Sequence, residues 1–205
     1  MSALREWIAP SRTALLLVDC QVDFAAPEGL MARQGHDLAA AQKAIRNAAR
    51  LADAARSAGV PCLFARLITR PGDETQMMRE WRARHGHESD PPLCREGTRG
   101  AEFVGVKPVA GEAIFSKIRY DAFAGTELDA HLRALKRDTL VIAGLTTECC
   151  VESTARDAFE RDYHVFIASD AVAAYEKALH DASLRALELN CAMLTSRADI
   201  AAAWK

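Results

Sequence analysis

Three residues of this chain are of the types that move protons and attack carbonyls, and each stands at an element boundary. Asp19 closes the apolar run TALLLV (13–18), Lys117 falls in IFSKIRYDAF, and Cys150 falls in Thr146-Thr147-Glu148-Cys149-Cys150-Val151. A cysteine in the first turn of a helix meets unpaired N–H groups and the positive end of the helix dipole, which favour a thiolate over a thiol, and a nearby lysine strengthens the effect. An ordinary cysteine, with a pKa of about 8.5, is only a few per cent ionised at neutral pH, so a nucleophile needs such a setting. The same N–H groups can stabilise an oxyanion as a carbonyl is attacked. Each residue also has a plainer reading. A cysteine at a strand–helix junction can be structural, an acid ending a buried strand can cap the next turn, and a lone lysine can be a solvated charge.

The elements that must hold these residues can be read from periodicity. TALLLV is a continuous apolar run of the kind found in strands buried on both faces of a parallel sheet. From Asp37 to Ser57 apolar residues recur at helical spacing, with Asp37 as a cap and Gly59 as a stop. A second strand, VPCLFARLI (60–68), leads into a polar stretch, 69–109, that holds four of the seven prolines and reads as an excursion over the sheet edge. Strands EAIF (112–115), TLVIAGL (139–145), YHVFIAS (163–169) and CAMLT (191–195) then alternate with helices over 125–138, 148–162 and 176–190. This order predicts an α/β fold, an open six-stranded, mainly parallel sheet with helices on both faces. Ligands of such sheets sit beyond the carboxyl ends of the strands, where Asp19, Lys117 and the TTECC turn could share one crevice.

At 205 residues and 50% hydrophobic, the chain can bury one sizeable core, and a single domain over 1–205 is expected. A formal charge of −2, from 26 basic and 28 acidic residues, offers no broad field for nucleic acid or an anionic membrane, so neither is expected as a partner. The start, MSALREWIAPSR, lacks the apolar core of a signal peptide, and no apolar run nears the ~18 residues of a membrane span; a cytoplasmic location is expected. Six cysteines at 20, 62, 94, 149, 150 and 191 form no CxxC pair, so they are expected to be reduced thiols.

Taken together, the three segments resemble the isochorismatase-like cysteine hydrolases. LLLVDCQVDF resembles their opening motif (DxQxxF), IFSKIRYDAFAGTEL their lysine motif, and AGLTTECCVESTARDA their nucleophile motif, in the same order and across about 13–195. The resemblance implies that Asp19, Lys117 and Cys150 form a catalytic triad. In it Asp19 exchanges protons with thiol and leaving amine, Lys117 holds both charges, and Cys150 attacks a carbonyl. It further implies oxyanion donation from the backbone N–H groups of Thr146 and Cys150, a cis peptide between Leu145 and Thr146, and no organic cofactor. Cys150, not Cys149, directly precedes the Val of the CVxxTA pattern; Cys149 is expected to pack, with a vicinal disulfide as the strained alternative.

The departures from the resemblance bear on substrate. Nicotinamidases of this superfamily carry an Asp and histidine metal site after the second strand, where this chain has ARLITRPGDET without histidine, so no metal is expected. His85 and His87 in RHGHES are read as solvated. The true isochorismatases need no cysteine nucleophile, so Cys150 points to the amidase branch, resembling N-carbamoylsarcosine amidase and related carbamoyl or ureide hydrolases. The expected partner is therefore a small amide, ureide or N-carbamoyl compound. Phe24, Tyr120 and Phe123 are candidate pocket walls. Arg66, Arg70, Arg79, Arg82 and Arg84 are candidate carboxylate binders with solvation as the default, and Trp81 could close the pocket of a neighbouring subunit. The resemblance implies a homodimer or homotetramer. The alternatives are a nicotinamidase-like or isochorismatase-like hydrolase, or a non-catalytic, redox-sensing member of the same fold. A Rossmann oxidoreductase is disfavoured because no GxGxxG follows the first strand.

Overall fold

The computed structural model describes residues 2–205. In chain order its elements are α1 (Ser2–Trp7), β1 (Thr13–Val18), α2 (Val22–Ala25), α3 (Leu30–Arg33), α4 (Ala39–Ser57), β2 (Cys62–Leu67), α5 (Gln76–Arg84), β3 (Ala113–Lys117), α6 (Leu128–Ala134), β4 (Thr139–Leu145), α7 (Glu152–Glu160), β5 (His164–Ala173), α8 (Lys177–Asn190), β6 (Met193–Thr195) and α9 (Arg197–Ala203). The six strands form one sheet of order β3-β2-β1-β4-β5-β6, and every pairing between them is parallel.

Burial on both faces follows from the two-residue period of a strand. Leu15 and Leu17 of β1 pack with Ile45, Ala48 and Leu51 of α4, while Ala14, Leu16 and Val18 pack with Leu128 and Leu132 of α6 and Ala155 of α7. The chain leaves β1 over one face, through α4, and leaves β4 over the other, through α7. The crevice between β1 and β4 is thus the topological switch point at which open α/β sheets bind ligands.

One glycine makes the approach of these two strands tight. Gly144 pairs with Val18 and has a φ of +122°, and a Cβ placed on it would lie 1.9 Å from the Val18 carbonyl oxygen. Another closes α4: Gly59, at φ +71°, follows the last turn in the left-handed conformation, and the Asp37 carboxylate accepts from the Ala39 N–H at the helix start.

Several boundaries expected from the sequence shift. The strand expected over 112–115 runs over Ala113–Lys117, so Lys117 ends β3 rather than following it. Residues 170–173 extend β5 past a register shift against β4, which no apolar period announces. The helix expected over 125–138 is trimmed to 128–134. The excursion contains α5, whose residues are all at least partly exposed. Among the described residues no helix is long and apolar enough to cross a membrane.

Candidate active site

The first arm of the site leaves β1 by a sharp turn. Asp19 adopts φ +48°, a left-handed conformation that non-glycine residues rarely hold, while its N–H donates to the Ala65 carbonyl of β2 at 2.9 Å. Gln21 then fixes the exit. Fully buried, it donates from Nε2 to the carbonyls of Leu67 and Ala101 and accepts from the Leu67 N–H on Oε1, all at 2.8–3.0 Å. Asp23 ties the excursion down by accepting from the N–H groups of Leu30 and Cys94 at 2.9 and 2.7 Å. With an extended β3, Lys117 sits opposite Leu67 and its side chain reaches across the end of β2 toward β1.

The second arm begins at β4. The Leu145–Thr146 peptide is cis, as the resemblance implied, and residues Thr147–Val151 wind as a single π turn before α7 starts at Glu152. Cys150 therefore lies in the wide turn that precedes the α-helix, where Val151 donates to the Thr146 carbonyl at 3.1 Å. π turns of this kind are frequent at functional sites. Helix α8 braces the turn from outside: Thr147 Oγ1 and His180 Nδ1 are 2.8 Å apart, and Ser183 Oγ lies 3.1 Å from the Thr147 carbonyl and 2.5 Å from Glu152 Oε2.

The two arms meet at one ammonium. Lys117 Nζ lies 2.8 Å from Asp19 Oδ2, 3.4 Å from Cys150 Sγ and 3.1 Å from the Arg119 carbonyl, so its three donors each have an acceptor. Asp19 is 0%, Lys117 1% and Cys150 6% exposed, which removes solvent screening from the cluster. Burial opposes the charge on Lys117, but the Asp19 carboxylate and the Cys150 sulfur outweigh it and raise its pKa above the ordinary lysine value. A hydrogen bond with the Cys149 side chain, burial and the Asp19 charge push the Cys150 thiol well above the usual cysteine range, against the pull of Lys117. The sequence argument expected the helix end and a lysine to favour the thiolate. In the folded chain desolvation and a neighbouring carboxylate weigh more. Asp19 Oδ1 is buried and has no hydrogen-bond partner in the structure.

The other sequence candidates fall in different places. Tyr120 is 60% exposed, and partial burial of its hydroxyl, with the Cys149 and Cys150 charges adding to it, raises its pKa. Phe123 is buried in the core, its ring stacked 5.9 Å from that of Tyr163. Phe24 is buried on the opposite face of the sheet from Cys150, and its carbonyl accepts from the Tyr175 hydroxyl at 2.7 Å. His85 and His87 are exposed and bonded within their own loop, to the Trp81 carbonyl and to Asp90. All six cysteines are free, and Cys149 is half-buried beside Cys150. Gln21, Asp23, His180 and Ser183 were not singled out from the sequence as site residues. Gln21 lay in a motif already quoted; His180 and Ser183 carry no local signal, since their partner lies 33 and 36 residues away.

A parallel α/β fold with a buried aspartate, lysine and cysteine at its switch point defines a class of hydrolase-like proteins, and comparison with known proteins gives the family. Residues 13–199 match the isochorismatase domain, and the chain belongs to the isochorismatase family, in its amidase branch. A ureidoacrylate amidohydrolase from Methylobacterium radiotolerans is 34% identical over 191 residues, covering 87% of this chain and 74% of that protein. Among solved structures, a cysteine hydrolase from Pseudomonas syringae pv. phaseolicola aligns over 97% of this chain and 94% of its own, with a TM-score of 0.83 and 26% identity. An N-carbamoylsarcosine amidase from Thermoplasma acidophilum aligns over 91% of this chain and 96% of its own, with a TM-score of 0.71 and 29% identity.

Proposed function

We propose that the protein is a cysteine-dependent amidohydrolase that cleaves a carbon–nitrogen bond, other than a peptide bond, in a small amide, ureide or N-carbamoyl compound. The observation that carries this reading is the single ammonium of Lys117 bridging the Asp19 carboxylate and the Cys150 thiol inside a dry site. Relatives that include a ureidoacrylate amidohydrolase and an N-carbamoylsarcosine amidase support the bond class.

The geometry suits a thiol that gives up its proton as it attacks. Cys150 Sγ adds to the carbonyl carbon while its proton passes to Asp19, whose open Oδ1 is free to take it. The oxyanion is received by the backbone N–H groups of Thr146 and Cys150 on the turn after β4. As the tetrahedral intermediate collapses, the C–N bond breaks and the amine or ammonia leaves with the proton held by Asp19. Water then adds to the S-acyl intermediate, giving a proton to Asp19, and the C–S bond breaks to release the acid and restore the thiol. Lys117 keeps its charge throughout and holds Asp19 and sulfur in register.

The reading extends to a cytoplasmic homodimer or homotetramer acting on small molecules; the near-neutral net charge, which offers no field for nucleic acid or an anionic membrane, supports the small-molecule part. Its test is release of amine or ammonia from a panel of ureides, N-carbamoyl amino acids and simple amides. Cys150→Ser is expected to lower turnover by about 10³-fold or more, while Cys149→Ser retains most of it. Equal losses in both variants would transfer the nucleophile's role to the cysteine pair, and no release from any compound would sink the assignment.

A further inference from the structure

Two thiols stand side by side at the nucleophile. Cys149 and Cys150 are both free and joined by a trans peptide, since the cis bond of this turn lies at Leu145–Thr146. Both fall inside the π turn Thr147–Val151, and their side chains are hydrogen-bonded to each other. They differ in access: Cys150 is 6% exposed, whereas Cys149 is only half-buried. The proposed hydrolysis uses Cys150 and leaves Cys149 without a task.

Reactivity sets Cys149 apart from the other cysteines as well. Burial pushes the thiols of Cys20, Cys62, Cys94 and Cys191 above the usual range, which keeps them protonated and inert. The Cys149 thiol is shifted down, by its hydrogen bond with Cys150 and by the Lys117 charge, against burial and Glu148. Oxidation follows thiolate character and access, and a second thiol in contact is placed to resolve the product. Adjacent Cα atoms stand about 3.8 Å apart across a trans peptide, short of the roughly 4.4–6.8 Å usual for a disulfide, so a bond between these sulfurs is strained, and strained disulfides are the readily reduced ones.

We propose that Cys149 is an oxidation site that controls the nucleophile: a hydroperoxide oxidises it, and Cys150 closes on it as a vicinal disulfide that reversibly switches hydrolysis off. The proposal rests on the amidohydrolase reading above and adds regulation to the same site. The Cys149 thiolate attacks the peroxide, the O–O bond breaks, and a sulfenic acid forms as water or an alcohol leaves. The Cys150 sulfur then attacks the Cys149 sulfur, the S–OH bond breaks, and the hydroxide departs as water with the Cys150 proton. Two thiols are oxidised to one disulfide while one peroxide is reduced. Bonded to Cys149, the Cys150 sulfur has no lone thiolate to add to a carbonyl, and a reducing thiol returns it. The bond also keeps Cys150 from oxidation to a sulfinic acid, which thiols do not reverse.

The test treats the wild type with a small excess of hydrogen peroxide and weighs the tryptic peptide 138–156, whose cysteines are Cys149 and Cys150 alone, without reduction. A loss of about 2 Da on that peptide and a fall in turnover of about 10-fold or more are expected together, both reversed by dithiothreitol. Cys149→Ser, active before treatment, is expected to gain about 32 Da at Cys150 and to recover less than about a tenth of its turnover. A wild-type peptide that gains oxygen instead of losing two hydrogens, or a Cys149→Ser variant restored as fully as the wild type, overturns the proposal. A disulfide that forms while turnover persists overturns both the switch and Cys150 as nucleophile. An untreated protein inactive on the whole panel of amides and ureides defeats the functional reading and the switch with it; the peptide mass, read without substrate, separates that failure from a failure of the two sulfurs to join.

Discussion

At the scale of residues, the site depends on a charge that has no water to fall back on. All three N–H bonds of the Lys117 ammonium are directed at Asp19, Cys150 and the Arg119 carbonyl. Removing one member of a buried ion pair strands the other, at a cost of about 3–5 kcal/mol, whereas removing both is far milder. Lys117→Met is therefore expected to lose about that much stability in equilibrium urea unfolding, and Asp19→Asn/Lys117→Met to regain most of it. Equal destabilisation of single and double variants would show that packing, not charge, is at stake. Asp19, Lys117 and Cys150 were legible in the sequence because each ends a strand or opens a helix within a motif of recognisable spacing. What bears on the Cys150 thiol besides the helix end was not legible: the Cys149 hydrogen bond, the burial and the Asp19 carboxylate that push it up are facts about folded space.

At the scale of elements, the turn that carries Cys150 is shaped by a helix that contributes nothing to the proposed chemistry. His180 and Ser183 of α8 hold Thr147 on its hydroxyl and on its carbonyl, and Thr147 follows the cis peptide directly. A displacement of the order of 1 Å at a reacting group can cost about a hundredfold in rate. His180→Ala is expected to lower kcat about 10- to 100-fold with little change in KM, and His180→Asn, which can still bond Thr147 Oγ1, to recover part of it. A parallel rise in KM would instead implicate His180 in binding. The strands were legible from their continuous apolar runs. The π turn was not, since a widened turn and an α-helix share one hydrophobic face over so few residues, and the helix expected over 148–162 begins only at Glu152.

At the scale of the molecule, the second half of the excursion is built into the core, with Cys94, Ala101 and Val106 buried there and the first two tied to Asp23 and Gln21, while its first half carries α5. Helix α5 lies in the excursion and buries no residue, with Met77 and Trp81 largely exposed. Elements with few buried contacts open at low free energy. Limited trypsin digestion is therefore expected to cut first at Arg79, Arg82 or Arg84, leaving the rest resistant, as read by mass spectrometry of the fragments; first cleavage within α4 or α8 would contradict this division. The parallel sheet was legible as an alternation of strand and helix patterns and 69–109 as an excursion from it, but the order of the strands was not, nor was α5 within the excursion, because that polar, proline-bearing stretch has no period to read.

The same division bears on how such a protein changes over generations. Substitutions in α5 touch no core contact and should each shift stability by no more than about 0.5 kcal/mol. Gly144, with Val18 pressed against it, admits no side chain at all. Substitutions can thus accumulate along α5 one neutral step at a time, while the paired strand ends that hold Asp19 and precede Cys150 are held still.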